Sequence, residues 1–121
     1  MKLYSTLTSP YARMARIVRL EKGLEEKVSL EIVTTRGDTN PYYGINPSGR
    51  VPSLELNDGR ILEDSALICW YFDNIDGRPT LHPFEGLSGL DDRRIEAIAR
   101  SMLDGTSLWW REYLYLSLIH I

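Results

Sequence analysis

The run Thr8-Ser9-Pro10-Tyr11-Ala12-Arg13 constrains this chain more than any other, because it marks where a strand gives way to a helix. Lys2 to Ser5 reads as the strand. Ser9 has an N-cap side chain, and Pro10 suits the first helical position, where its missing N–H has no partner to lose. Met14, Ile17 and Val18 supply a face to bury, and Gly23 offers the left-handed residue that ends the helix after Lys22. At the N-terminus of such a helix, free N–H groups and a hydroxyl converge where the dipole favours an anion. Taken alone, Ser9 is only a cap; the rest of the chain decides whether it is more.

Val28, Leu30 and Ile32 alternate with Ser29 and Glu31, which predicts a second strand buried on one face and completes a βαβ unit. Thr34 to Ser48 is rich in Gly, Asn, Pro and Thr and reads as loop, with one short helical turn around Tyr42 to Ile45. Pro52 to Leu56, then Asp58-Gly59, then Arg60 to Leu62 spells a β-hairpin with a two-residue type I′ turn. A helix follows from Asp64 or Ser65 to about Ile75, on a face of Leu67, Ile68, Tyr71, Phe72 and Ile75. Gly77, Pro79 and Pro83 make residues 77–86 a linker. A long amphipathic helix is expected over 87–115, with Ile95, Ile98, Met102, Thr106 and Trp109 on one side and Asp91 and Asp92 suiting its dipole.

Composition narrows the function classes. With 121 residues, 43% of them hydrophobic and 26% charged, the chain reads as one globular domain and part of a second. A net charge of -3 argues against nucleic acid as partner, which wants a basic surface. The single cysteine, Cys69, excludes an intrachain disulfide and fits a reducing, cytoplasmic setting. No apolar run is long enough to span a bilayer, and no signal peptide opens the chain. His82 stands apart from any other His or Cys, so no metal site is expected.

The order βαβ, loop, ββα resembles the thioredoxin-like domain of the glutathione transferases, and three motifs carry the resemblance over residues 1–114. Ser9 in Ser-Pro-Tyr-Ala matches the serine that tau- and zeta-class members hold after the first strand. Val51-Pro52, within Gly49-Arg50-Val51-Pro52-Ser53-Leu54, matches the family's Val-Pro step with its cis proline. Asp64-Ser65 matches the acidic residue and serine that open the family's third helix. The implied fold is α/β: a thioredoxin-like domain (1–76) with a mixed four-stranded sheet, then the linker and the first helix of an all-α domain. Leu116-Ser117-Leu118-Ile119-His120-Ile121 reads as the in-frame translation of a sequencing adapter, which makes the helix at 87–115 the start of a truncated domain.

The resemblance implies glutathione as cosubstrate, a small hydrophobic electrophile as second substrate and a homodimer of the full-length protein. A thiol of pKa ~8.5 is only about 3% ionised at pH 7, so a transferase must stabilise the thiolate. A hydroxyl donating to the sulfur supplies about 1.5–3 kcal/mol, and a helix N-terminus roughly 0.3–1 kcal/mol more. Ser9 is the implied donor; it holds the thiolate and attacks nothing itself. Val51 and Pro52 would present backbone to the cysteinyl part of the ligand. Asp64 would meet the γ-glutamyl ammonium, and Ser65 with its helix N-terminus the neighbouring carboxylate. Arg50 is either a partner of the glycyl carboxylate or a solvated side chain, and Arg13 and Arg16 either steer an anion or lie in solvent. Glu63 is a weaker candidate than Asp64, Tyr4 reads as a strand residue, and Cys69 as packed core. With Ser9 and Ala12 where thioredoxins hold Cys-x-x-Cys and the omega class Cys-Pro, dithiol exchange is not available at this turn. Two alternatives share the pattern: a transferase-like interaction module without catalysis, and a glutathione-dependent dehalogenase, lyase or isomerase.

Overall fold

A computed structural model of the chain describes residues 1–37, 39–81 and 86–116. The chain forms two compact units, Met1–Leu81 and His82–Ile121. The first contains β1 (Lys2–Ser5), α1 (Pro10–Glu21), β2 (Ser29–Ile32), a 3-10 turn (Pro41–Gly44), β3 (Ser53–Glu55), β4 (Ile61–Glu63) and α2 (Ser65–Asn74). The strands make one mixed sheet in the order β2-β1-β3-β4. β1 runs parallel to β2 and antiparallel to β3, and β3 antiparallel to β4. This is the α/β, thioredoxin-like arrangement that the sequence pattern leads one to expect.

Leu3 pairs with Leu54 and Leu54 with Leu62, so the three share one face of the sheet. Leu3 and Leu54 pack with Ala15, Leu24, Val28, Leu56, Ile68 and Phe72 into the core, against which Cys69, Tyr71 and Ile75 are partly buried. Full burial of a side chain such as Phe72 contributes about 1.5–3 kcal/mol. α1 meets this core along Ala12 and Ala15, with the expected Val18 partly buried against it, whereas Ile17 is 47% exposed. Two small alanines let α1 pack closely on α2, and Ile17, two residues past Ala15, falls on the far side of the helix. Leu67, also expected to be buried, is exposed on α2 for the same angular reason relative to Ile68 and Phe72.

The end of α1 follows the sequence signal. Gly23 takes φ of 60° and its N–H donates to the Leu20 carbonyl, while the Leu24 N–H donates to Arg19, closing a Schellman motif. β2 departs from expectation. Leu30 and Ile32 are 40% and 50% exposed, because β2 is an edge strand and its buried anchor is Val28, one residue before it. The β3–β4 hairpin is present, but its turn is not type I′. Only Gly59 takes a positive φ there, with Gly59 N–H donating to Leu56 and Leu56 N–H to Arg60, so the Leu56–Arg60 pair closes a loop of residues 57–59, one longer than expected. The Asp58 carboxylate pairs with Arg60 across this turn at 2.7 Å.

At the C-terminal ends of α1 and α2 lies a buried ion cluster. Lys22 is 3% exposed; its Nζ sits 3.4 Å from Asp73 Oδ1 and 3.1 Å from Asp76 Oδ1. It also donates to the Asp73 and Pro79 carbonyls, and Asp73 Oδ1 accepts the Leu81 N–H, which fastens residues 76–81 onto the ends of α1 and α2.

The second unit holds a 3-10 turn (Gly86–Gly89), α3 (Leu90–Arg111) and a π turn (Glu112–Leu116). No α3 side chain is buried: Ile95, Ile98, Met102 and Trp109 are exposed, and the Thr106 hydroxyl donates to the Met102 carbonyl. Among the described residues no helix is long and apolar enough to cross a membrane. His82 and residues 117–121 lie outside the described residues.

Candidate functional site

Strand register brings the three motifs to one end of the sheet. Tyr4 pairs with Ser53 and Ser53 with Glu63, so the end of β1, the start of β3 and the end of β4 lie side by side. Neighbouring strands are about 4.8 Å apart, which places the row within about 10 Å. From it β1 leads into the turn bearing Ser9, β3 is entered through Arg50-Val51-Pro52, and β4 leaves into Asp64-Ser65.

Ser9 is half-buried and caps α1: its Oγ accepts the Ala12 N–H at 3.2 Å, and its own N–H donates to Thr6 Oγ1 at 3.2 Å. The cap engages a lone pair of the hydroxyl. Its proton has no acceptor among the described residues, so Ser9 caps the helix and remains a donor. Asp64 caps α2, its Oδ1 accepting the Ala66 and Leu67 N–H groups at 2.7 and 3.2 Å. Its φ of 84° is one that residues other than glycine seldom adopt, a strain that clusters at functional sites. The carboxylate is exposed, and Oδ2 has no partner among the described residues. Ser65 is buried, yet its hydroxyl bonds to no described residue.

The Val51–Pro52 peptide bond is cis and Pro52 is buried. Neither the N–H nor the carbonyl of Val51 is paired among the described residues. The Arg50 side chain is exposed beside them, without a described partner. Glu63 lies in β4, next to the cap. Arg13 is exposed, whereas Arg16 is only half-exposed: its Nη2 donates to the Leu7 carbonyl at 3.4 Å, and its buried Nε has no partner among the described residues. Tyr4 is occupied elsewhere, donating to Glu55 at 2.5 Å; burial, with the Glu55 carboxylate beside it, pushes its phenol up. Among the described residues no group of three or more His, Cys, Asp or Glu could hold a metal ion.

Sequence reasoning missed what supports the Val51 turn. Tyr42 is buried, its ring 5.9 Å from that of Tyr4, and its hydroxyl lies 2.7 Å from both the Arg50 carbonyl and Ser53 Oγ. Asn46 Nδ2 donates to the same carbonyl at 3.0 Å, and its Oδ1 accepts from the Ser48 N–H and hydroxyl. Gly49 has φ of 66°, and an added Cβ would lie 2.5 Å from the Tyr43 ring. The only sequence signal was the Asn-Pro-Ser-Gly turn itself.

Sheet order and the three motifs at one sheet end define a thioredoxin-like domain of the glutathione-transferase type. Residues 8–75 match the N-terminal domain model of glutathione S-transferases, and the chain belongs to that family. It is 33% identical over 112 residues to the uncharacterised GST-like protein YibF of Escherichia coli, covering 93% of this chain and 54% of that protein. It is 32% identical over 117 residues to glutathione S-transferase 2 of Saccharomyces cerevisiae, covering 91% and 49%. A glutathione transferase family member from Pseudomonas fluorescens, solved with bound glutathione, superposes with a TM-score of 0.82 at 26% identity over 94% of this chain and 57% of that one. A glutathione S-transferase from Methylobacillus flagellatus, also with glutathione bound, gives 0.76 at 35% over 88% and 52%. The chain thus spans about half the length of these relatives.

Proposed function

We propose that this chain is the glutathione-binding part of a glutathione transferase, which stabilises the glutathione thiolate and conjugates it to a small hydrophobic electrophile. The observation that carries the reading is that the strands leading to Ser9, Val51, Asp64 and Ser65 end side by side, with the Val51 N–H and carbonyl and Asp64 Oδ2 unpaired among the described residues. Two related structures with glutathione bound support the ligand. Ser9 donates to the sulfur at the N-terminus of α1, and Val51, with Pro52 behind it, pairs with the cysteinyl backbone. Asp64 binds the ammonium, Ser65 and the α2 N-terminus the adjoining carboxylate, and Arg50 the glycyl carboxylate. Residues 1–76 are the binding domain, 77–86 the connection and 87–115 the first helix of a helical domain. The full-length protein works as a cytoplasmic homodimer.

An isomerase reading uses the same groups, and maleylacetoacetate isomerase of Pseudomonas aeruginosa is 29% identical over 101 residues. The two separate on turnover, since conjugation consumes glutathione and isomerisation returns it. The site itself is tested by Asp64→Asn, which keeps the capping oxygen and tolerates the positive φ but removes the charge. Glutathione affinity should fall about tenfold or more, as for loss of a charged hydrogen bond, with thermal stability little changed. Unchanged affinity would remove Asp64 from the site.

A further inference from the structure

The Arg50–Val51 peptide is trans, whereas the one that follows it is cis. In a planar trans peptide the C=O and N–H point in opposite directions, so whatever holds the Arg50 carbonyl also aims the Val51 N–H. That carbonyl accepts from the Tyr42 hydroxyl at 2.7 Å and from Asn46 Nδ2 at 3.0 Å, both on the inner side of the turn. The Val51 N–H thereby faces away from them, and no described group takes it.

We infer that Tyr42 is a positioning residue of the glutathione site, whose buried hydroxyl fixes the direction of the Val51 N–H and so presents a ready donor to the backbone of the bound peptide. This rests on the glutathione reading above and adds to it a residue that does not touch the ligand. Proton accounting supports it. Tyr42 has one hydroxyl proton, and the Arg50 carbonyl can only accept, so that proton goes to Arg50 and Ser53 Oγ donates in turn to Tyr42. The phenol is thus clamped between the residue before the Val51–Pro52 step and the residue after it. A tilted contact with the Tyr4 ring, 53° between the planes, holds the Tyr42 ring, and Tyr4 stands in the strand that leads to Ser9. Burial pushes the Tyr42 phenol up, against hydrogen bonds from Ser53 and Asn46 that act the other way, so the donor keeps its proton through neutral pH.

The test compares the full chain with Tyr42→Phe, which removes the hydroxyl and keeps the ring. Glutathione binding by calorimetry should weaken about tenfold, the scale of one positioned hydrogen bond. Proton release per glutathione bound should stay as in the unsubstituted chain, because the thiolate is held at Ser9 and not at Val51. A general loosening of the site would lower both together. Affinity within twofold of the unsubstituted chain, in a Tyr42→Phe protein shown by its melt to be folded, overturns the inference. Hydrogen exchange at the Val51 amide gives a reading that needs no variant: the amide should exchange freely without glutathione and become protected with it. An amide that glutathione leaves unprotected likewise overturns the inference, while affinity for glutathione itself is unaffected. Absence of binding to the unsubstituted, folded chain refutes the glutathione reading and this inference with it.

Discussion

Replacing Lys22 with methionine removes the cation from the most completely buried charged group in the first unit while keeping its bulk. Lys22 and Asp73 side chains are 3% and 4% exposed, so solvent does little to screen the loss. The variant forfeits the contacts to Asp73 and Asp76 at 3.4 and 3.1 Å and leaves the Asp73 and Pro79 carbonyls without their shared donor. Asp73 keeps the Leu81 N–H, but its buried carboxylate loses the Lys22 ammonium. Removing one partner of a buried pair costs about 3–5 kcal/mol, against roughly 5–15 kcal/mol for the whole stability of a domain. For a unit of this size that lowers the melting temperature by roughly 12–40 °C. Urea unfolding followed by far-ultraviolet circular dichroism at pH 7 measures the loss. Adding Asp73→Asn to Lys22→Met removes the buried negative charge that Lys22 had balanced and should recover at least about 1 kcal/mol. A Lys22→Met chain within about 1 kcal/mol of the unsubstituted one would refute the claim that the cluster fastens residues 76–81 to the ends of α1 and α2.

Acid should weaken the same cluster. Burial works to raise the Asp76 carboxyl, but the Arg78 backbone N–H and Lys22 outweigh it and hold the group below the usual carboxylate range. A depressed carboxylate contributes stability that is present above its unfolded value of about 3.9 and lost as pH falls through its folded value. The fall in urea midpoint below about pH 4 should be shallower in Asp76→Asn than in the unsubstituted chain; parallel curves would count against it. Gly49→Ala puts a side chain at φ of 66°, where its Cβ meets the Tyr43 ring at 2.5 Å. We expect a loss of about 1–2 kcal/mol on unfolding and weaker glutathione binding, since Arg50 and Val51 follow directly; equal affinity would show that the turn tolerates the shift.

What could be read in the sequence was what acts within a few residues. The Ser9 and Asp64 caps, the Gly23 terminus and the β3–β4 hairpin each depend on side chains close to the backbone they satisfy, so their signals are local. The type I′ turn failed because the Asp-Gly pair fits two loop lengths equally well, and Asn57 joined the loop. The buried face of α1 was read correctly at Val18 but wrongly at Ile17, because large apolar residues were weighed over Ala12 and Ala15, whose small size is what close helix packing needs. Leu30 and Ile32 follow the alternation of a half-buried strand, but alternation says nothing of edge position. Lys22 and Tyr42 stayed hidden for a different reason. A lysine at a helix end reads as solvated, and its partners Asp73 and Asp76 lie some fifty residues on. Tyr42 gains its meaning only when folding sets it between Arg50 and Ser53. The candidate site could be named through the family's three motifs, while the hydrogen bonds that Tyr42 and Asn46 make to the Arg50 carbonyl could not.

The central claim is that Ser9, besides capping α1, donates to a glutathione thiolate. It is tested most directly by calorimetry of glutathione binding near neutral pH in buffers of different ionisation enthalpy, for the chain and for Ser9→Ala. The account predicts that the chain releases a proton on binding and that the alanine variant, about 1 kcal/mol less stable for loss of its cap, binds with that release abolished. Equal proton release from both folded proteins would contradict it.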